Sequence, residues 1–252
     1  MQRKFYAIAF MEELMYHYKY PHPAITTDSV VLGFDGKTLH VLLVERGLEP
    51  YKGCWALPGG FLKMDETAEE CAARELREET GVEDVYLEQF HTFSGVHRDP
   101  RERVVTIAFF ALVRKSDYRL IAGDDAARAS WFELDELPPL AFDHELIIRT
   151  GRRRIQEVLR DRPIAFRLLD KKFSMAELQR LYESINGTTY DRRNFHKKMT
   201  SSGFLHEESV NDGESAYHSR VSCLFSFDDK AFKKVMDDDG KRPAKKRNPF
   251  NL

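Results

Sequence analysis

The spacing of apolar positions changes several times along the chain, and each change predicts an element. Residues 5–19 carry a helical pattern that Pro21 and Pro23 terminate. Two aliphatic runs follow, Ser29–Gly33 and Leu39–Val44, joined by Phe34-Asp35-Gly36-Lys37. Asp-Gly between such runs predicts a hairpin, because these residues tolerate the positive φ of a tight turn. Gly36-Lys37-Thr38 is read as part of that turn and not as a phosphate-binding loop, whose required glycine five positions earlier is Val31 here. Trp55–Leu57 is a short apolar piece closed by Pro58-Gly59-Gly60. A helix is predicted from about Thr67 to Thr80: Thr67-x-x-Glu70 can form a capping box, and Gly81 stands where a left-handed cap belongs. Strands are predicted over Val85–Phe93, Val104–Val113 and Ser130–Leu134, and helical spacing resumes from His144 to Leu159. One helix among many strands, then a closing helix, predicts an α/β or α+β sandwich.

Arg162-Pro163 marks a boundary, after which the pattern changes character. Ser174-Met175-Ala176-Glu177 is a second capping box, and Leu178, Leu181, Tyr182 and Ile185 repeat at helical spacing up to Gly187. Asp191 can cap a further helix running to about Ser202 and closed by Gly203. Two strand-like pieces follow, Phe204-Leu205 and Val221–Phe227, separated by a polar stretch. Two short capped helices and a β-hairpin suit a winged helix-turn-helix. In the second helix Phe195 and Met199 make the inward pair, which leaves Arg192, Arg193, Asn194, His196, Lys197 and Lys198 mostly outward. Cations plus an Asn near a helix N-terminus can read base edges and grip phosphates, so a double-stranded DNA operator is the expected partner. A solvated basic helix in a dimerisation domain is the bland alternative. His218 and Arg220 are assigned to the wing. Lys241, Arg242, Lys245, Lys246 and Arg247 would add non-specific phosphate contacts. The expected division is an N-terminal helical segment (1–23), a first domain (24–161), the winged helix (162–236) and a basic disordered tail (237–252).

Charge sharpens this division. The net charge is −2, but residues 162–252 hold 18 basic against 13 acidic side chains and residues 1–161 hold 21 against 28. An acidic front and a basic back suggest two domains with different partners. Hydrophobic residues at 42% and charged residues at 32% are ordinary for a soluble globular protein. The apolar stretch Phe5–Met11 is broken at once by Glu12 and Glu13, which argues against a secretory signal or a membrane span. Cys54, Cys71 and Cys223 are odd in number and far apart, so neither a disulfide framework nor a zinc site is expected, and the cytoplasm fits best.

The first helix carries the chemistry. At about 100° per residue, Glu75 and Glu79 fall within roughly 20° either side of Ala68 and near Ala72. Their carboxylates therefore share the side of the small apolar residues, where like charges are costly unless a cation neutralises them. Hard carboxylate oxygens favour Mg²⁺ or Mn²⁺ over zinc. Arg74 lies four residues before Glu78 and can orient it by a charge-assisted bond.

Gly60, five residues, Glu66, seven residues, then Arg74-Glu75-Leu76-Arg77-Glu78-Glu79-Thr80-Gly81-Val82 fills every fixed position of the Nudix signature. Over roughly residues 24–160 the chain thus resembles the Nudix hydrolase family, which implies an α/β/α sandwich with a mixed sheet. The resemblance implies that Glu75, Glu78 and Glu79 serve as metal ligands and catalytic groups, that Gly59 offers its carbonyl, and that Arg74 holds the Glu cluster. Glu66 is expected on the far side of the helix as a local support. The metals would polarise a diphosphate and generate hydroxide. The stretch Arg98-Asp99-Pro100-Arg101-Glu102-Arg103-Val104-Val105 looks like that of ADP-ribose-type members, where Arg98, Arg101 and Arg103 could clamp phosphate or ribose. Glu102, Asp124 and Asp125 are alternatives for a further catalytic acid.

A second resemblance spans nearly the whole chain. Ala141-Phe142-Asp143-His144, Phe173…Glu177-Leu178-Gln179…Leu181-Tyr182-Glu183 and Asp191-Arg192-Arg193-Asn194-Phe195…Gly203-Phe204-Leu205 are similar to Nudix-related transcriptional regulators. It implies a homodimer that responds to ADP-ribose or to a sugar. Many such regulators have degenerate boxes, whereas this box is intact, so hydrolysis stays open. The alternative reading is a Mg²⁺-dependent nucleoside-diphosphate hydrolase whose C-terminal domain serves assembly.

Overall fold

The computed structural model describes residues 19–120, 126–160, 162–208 and 223–230. The helix expected over residues 5–19, the acids Asp124 and Asp125, the wing residues His218 and Arg220 and the basic tail lie outside the described residues.

The first part is a mixed seven-stranded sheet between two helices. Strand β1 (Ala24–Phe34) runs parallel to β6 (Val104–Arg114) over its whole length, and β5 (Glu88–Phe93) pairs antiparallel with β6. The Asp-Gly turn closes the expected hairpin between β1 and β2 (Leu39–Arg46), with Leu32 opposite Val41. Away from the turn the two strands part. Residues Thr26–Asp28 of β1 then pair with β4 (Gly59–Phe61), while Val44 and Glu45 of β2 pair with β3 (Trp55–Ala56). On its other edge β2 pairs with β7 (Ala126–Glu133).

Alternation along the strands sorts the core into two layers, as the period of two requires. Val31, Leu42, Ala111 and Val113 pack with Leu76 of α1 (Ala68–Thr80) and with Val82. Their neighbours Val30, Leu32, Val41, Leu43, Phe110 and Leu112 join Ile147, Ile148 and Ile155 of α2 (His144–Leu159). Both ends of α1 are closed as its sequence predicts: the Thr67/Glu70 capping box is formed, and Gly81 adopts φ 75°.

Two differences from the expected elements have plain causes. The strand expected from Val85 begins at Glu88, because Val85 and Leu87 pack onto the α1-side cluster before pairing starts. The Gly59-Gly60-Phe61 piece, for which no strand was expected, is strand β4. Glycines are poor strand formers, yet here no side chain fits: a Cβ on Gly59 would collide with the Thr27 carbonyl oxygen, and one on Gly60 with the Glu75 carboxylate.

The second part is a winged helix. Helices α3 (Met175–Asn186) and α4 (Arg192–Thr200) precede β9 (Leu205–Glu208) and β10 (Leu224–Phe227), and β10 also pairs with an unexpected short strand, β8 (Phe173–Ser174). The Ser174/Glu177 capping box is formed, and Gly187 closes α3 at φ 64°. The apolar cluster beneath α2 continues through Ala165, Leu168 and Leu169 of a 3₁₀ turn (Ile164–Leu168) and its cap to Leu178, Leu181, Tyr182, Phe195 and Phe225.

Candidate functional site

A cavity of about 570 Å³ opens where β1 and β2 part, lined by Asp28, Arg46, Gly59, Gly60, Glu75 and Glu79 among others. Helix α1 lies along it. Glu75 is largely buried at 16% side-chain exposure, while Glu78 on the outer side of the helix is half exposed at 49%. Glu79 turns inward and accepts the Gly59 N–H at 2.9 Å. Burial pushes the Glu79 carboxyl up to about 8, with the Glu75 and Asp28 carboxylates adding to the effect against the Gly59 bond.

Arg74 is the hub of the acidic cluster. Its guanidinium reaches Glu66 at 2.6 and 2.8 Å, Glu75 at 2.7 Å and Glu78 at 3.1 Å. Glu66 is therefore not across the helix from the site: it precedes the Thr67 cap, accepts the Lys63 N–H at 2.8 Å and folds back onto Arg74, which holds its carboxyl down at about 2. Among the described residues no three His, Cys, Asp or Glu side chains stand in ligating geometry. The cause is local, since Arg74 draws Glu75 and Glu78 toward itself and Glu79 is bonded to Gly59. The donor chemistry still fits a hard divalent cation, because carboxylates crowded around a buried Glu79 are what such an ion would relieve.

The three arginines expected at the ligand are placed differently from one another. Arg98 lines the cavity floor, yet its buried guanidinium is engaged by Asp143 at 2.7 and 3.0 Å and Asp28 at 3.4 Å. Arg103 donates to the carbonyls of Ser94 and Gly95, both at 3.0 Å, and so braces its own loop. Arg101 lines the cavity, bonded to Asp99 at 2.7 Å and lying over the rings of Phe61 and Phe142. Glu102 is exposed and does not line the cavity.

Sequence reasoning missed Arg46, Asp28 and His144. Arg46 stands at the end of β2, stacks 4.8 Å from the Phe142 ring and donates to the Pro50 carbonyl at 2.8 Å. Burial, and next the nearby Arg101 cation, disfavour its charged form, so two positive groups face one cavity. Asp28 is the one charged residue of β1, a signal that could have been read. His144 is buried: its Nδ1 accepts the Leu57 N–H at 2.8 Å, which leaves the proton on Nε2, 3.6 Å from Asp28. Two cations, aromatic rings and a clustered set of carboxylates form a site suited to a phosphorylated ligand with a planar or sugar end.

In the winged helix, Asp191 caps α4 by accepting the Asn194 N–H at 2.9 Å, and Phe195 and Met199 are buried. Arg192, Arg193, Asn194, His196 and Lys197 are exposed; Lys198 is half-buried.

Residues 22–150 match the family described as the NUDIX domain, and the chain belongs to the Nudix family. Residues 165–227 match a second description, the NrtR DNA-binding winged helix domain. Among curated proteins, the chain is 34% identical over 192 residues to the ADPR responsive transcriptional repressor NtrR of Acinetobacter baylyi, covering 75% of this chain and 76% of that protein. It is 43% identical over 130 residues to an ADP-ribose pyrophosphatase of Methanocaldococcus jannaschii, covering 52% of this chain and 73% of that protein. Among solved structures it is similar to NrtR of Shewanella oneidensis at 28% identity and TM-score 0.66, covering 81% of this chain and 93% of that one. That NrtR is also known complexed with a 27mer DNA (28% identity, TM-score 0.63, 81% and 93% covered), and its NUDIX domain with ADP ribose (33%, 0.51, 60% and 98%). No helix among the described residues is long and apolar enough to cross a membrane.

Proposed function

We propose that this chain is a DNA-binding transcriptional repressor whose Nudix domain takes ADP-ribose as effector. The observation that carries the reading is a chain-long pairing. One end presents the exposed basic surface of α4, and the other a cavity where Arg46 and Arg101 face the α1 carboxylates. In this reading residues 24–161 sense the ligand and residues 162–236 bind DNA. The protein acts in the cytoplasm as a homodimer, so that two recognition helices meet two half-sites. Arg192, Arg193, Asn194, His196, Lys197 and Lys198 contact the duplex. Arg101 and Arg46 hold the diphosphate, while Arg98 and Arg103 shape the loop behind it.

The intact box favours a second activity in the same domain, hydrolysis of ADP-ribose, as the pyrophosphatase relative's name says of that protein. Glu75, Glu78, Glu79 and the Gly59 carbonyl would hold Mg²⁺ or Mn²⁺. A bound ion of this kind supplies positive charge to a diphosphate and makes water a better nucleophile. Arg74 keeps the carboxylates grouped, and the Gly59 N–H orients Glu79.

Fluorescence anisotropy with genomic duplexes, with and without ADP-ribose, tests the main reading. Selective binding whose strength changes with ADP-ribose supports it. Equal affinity for random DNA at moderate salt ends it. Phosphate release from ADP-ribose, coupled to a phosphatase, scores the second activity.

A further inference from the structure

We propose that α2 carries the state of the cavity to the winged helix, with Arg98 and His144 fixing its near end and Arg152 and Gln156 its far end. The proposal rests on the reading of this chain as an ADP-ribose-responsive DNA-binding protein and assigns the route of that response.

The near end is tied to the site from two sides. Ala141 N–H donates to the Trp55 carbonyl at 2.8 Å, and Leu57 N–H donates to His144 Nδ1 at 2.8 Å. Leu57 lies two residues before Gly59, whose N–H is bonded to Glu79 at 2.9 Å. From the other side Arg98, on the same loop as Arg101, grips Asp143 with both arms at 2.7 and 3.0 Å. Asp143 occupies the N-cap position of α2 and makes no side-chain cap bond. An Asp at that position ordinarily accepts the helix's own N–H groups. Here its carboxylate has turned to Arg98 instead. Any ligand that moves β4 or the Arg98–Arg101 loop therefore pulls on the first turn of α2.

The far end grips the first helix of the DNA-binding unit. Arg152 donates to the Ser184 carbonyl at 2.6 Å and to the Ile185 carbonyl at 3.0 Å, and Gln156 donates to Ile185 at 2.8 Å. These carbonyls belong to the last turn of α3, where a helix has no internal partners for them. Gly187 and a short turn then lead to Asp191, the cap of α4. From residue 144 to residue 152 a continuous helix spans about 12 Å, and its ladder of bonds transmits displacement with little loss.

The test uses full-length protein, an operator duplex and ADP-ribose. Operator affinity is measured by anisotropy with and without ADP-ribose, and ADP-ribose affinity by calorimetry. Two sites coupled in this way typically alter each other's affinity by about 5- to 150-fold. In an Arg152→Ala/Gln156→Ala variant that ratio should fall to within about 2-fold, while ADP-ribose affinity stays as in the parent. A variant that keeps the parent ratio overturns the route and leaves the functional reading intact. A parent ratio of one overturns both. Should the double variant fail to fold, hydrogen exchange on the unaltered protein decides. ADP-ribose should then change amide exchange in the first turn of α2 and across residues 184–190. A response in α4 that bypasses both segments refutes the route.

Discussion

Glu79→Gln is the perturbation whose outcome the geometry predicts most fully. In the metal-free protein the folded Glu79 carboxyl titrates at about 8 against an ordinary 4.5. Its folded-state value is raised, so between those limits the native state holds a proton that the unfolded chain has released. This group therefore makes the fold less stable as pH rises from 4.5 toward 8, and the loss levels off above 8. At about 1.4 kcal/mol per pH unit the full effect is at most about 5 kcal/mol, and water entering the open cavity halves it to about 2–3 kcal/mol. The amide of the Gln variant does not titrate and keeps the Gly59 bond partner, so the variant lacks this slope. Burial also holds His144 below its ordinary value of 6.5, which adds an opposite slope below that pH in both proteins; the difference between the two curves isolates Glu79. Urea unfolding in EDTA, followed by the fluorescence of Trp55 and Trp131, measures it at several pH values. Added Mg²⁺ at pH 8 should restore the parent and leave the variant unchanged. Curves that run parallel from pH 5 to 8 would show that Glu79 is not a buried, crowded acid.

Four further outcomes rest on where particular side chains stand. Arg192→Ala/Arg193→Ala should lower the slope of log affinity against log salt by about 2 while sparing ADP-ribose binding; an unchanged slope takes these side chains off the DNA. Arg46→Ala should weaken ADP-ribose binding by about 10- to 100-fold, the worth of one charge-assisted contact. Arg103→Ala, which removes bonds to the backbone carbonyls of Ser94, Gly95 and Val104, should cost much less by calorimetry, and the reverse order contradicts the placement. Tyr182→Phe should raise the unfolding midpoint, by up to about 1–2 kcal/mol of stability, because the buried Tyr182 hydroxyl has no hydrogen-bond partner among the described residues. A lower midpoint would mean that the hydroxyl has a partner after all.

The parts of this molecule that local chemistry determines were readable from its residues. Thr67/Glu70 and Ser174/Glu177 cap helices through contacts three residues apart, and Gly81 and Gly187 end them. The inward turn of Glu75 and Glu79 followed from helical period alone. What was hidden depends on distant segments. Arg98 reads as a phosphate ligand until Asp143, 45 residues on, is brought beside it. Arg46 ends an ordinary strand, and only the fold sets it opposite Arg101. Strand β4 runs against the propensity of its two glycines because the space beside Thr27 and Glu75 admits no side chain. Strand β8 is two residues long, too short for any periodicity to register.

The apolar cluster that runs unbroken from the sheet through Ala165 and Leu168 into Leu178 and Tyr182 limits how this protein can be engineered. Its DNA-reading half is not a cassette to be excised and fused elsewhere: cutting at Pro163 would bare one wall of a shared interior and strip the Arg152 and Gln156 side chains from the last turn of α3. A chimera that exchanges effector specificity would have to carry α2 along with the recognition helices.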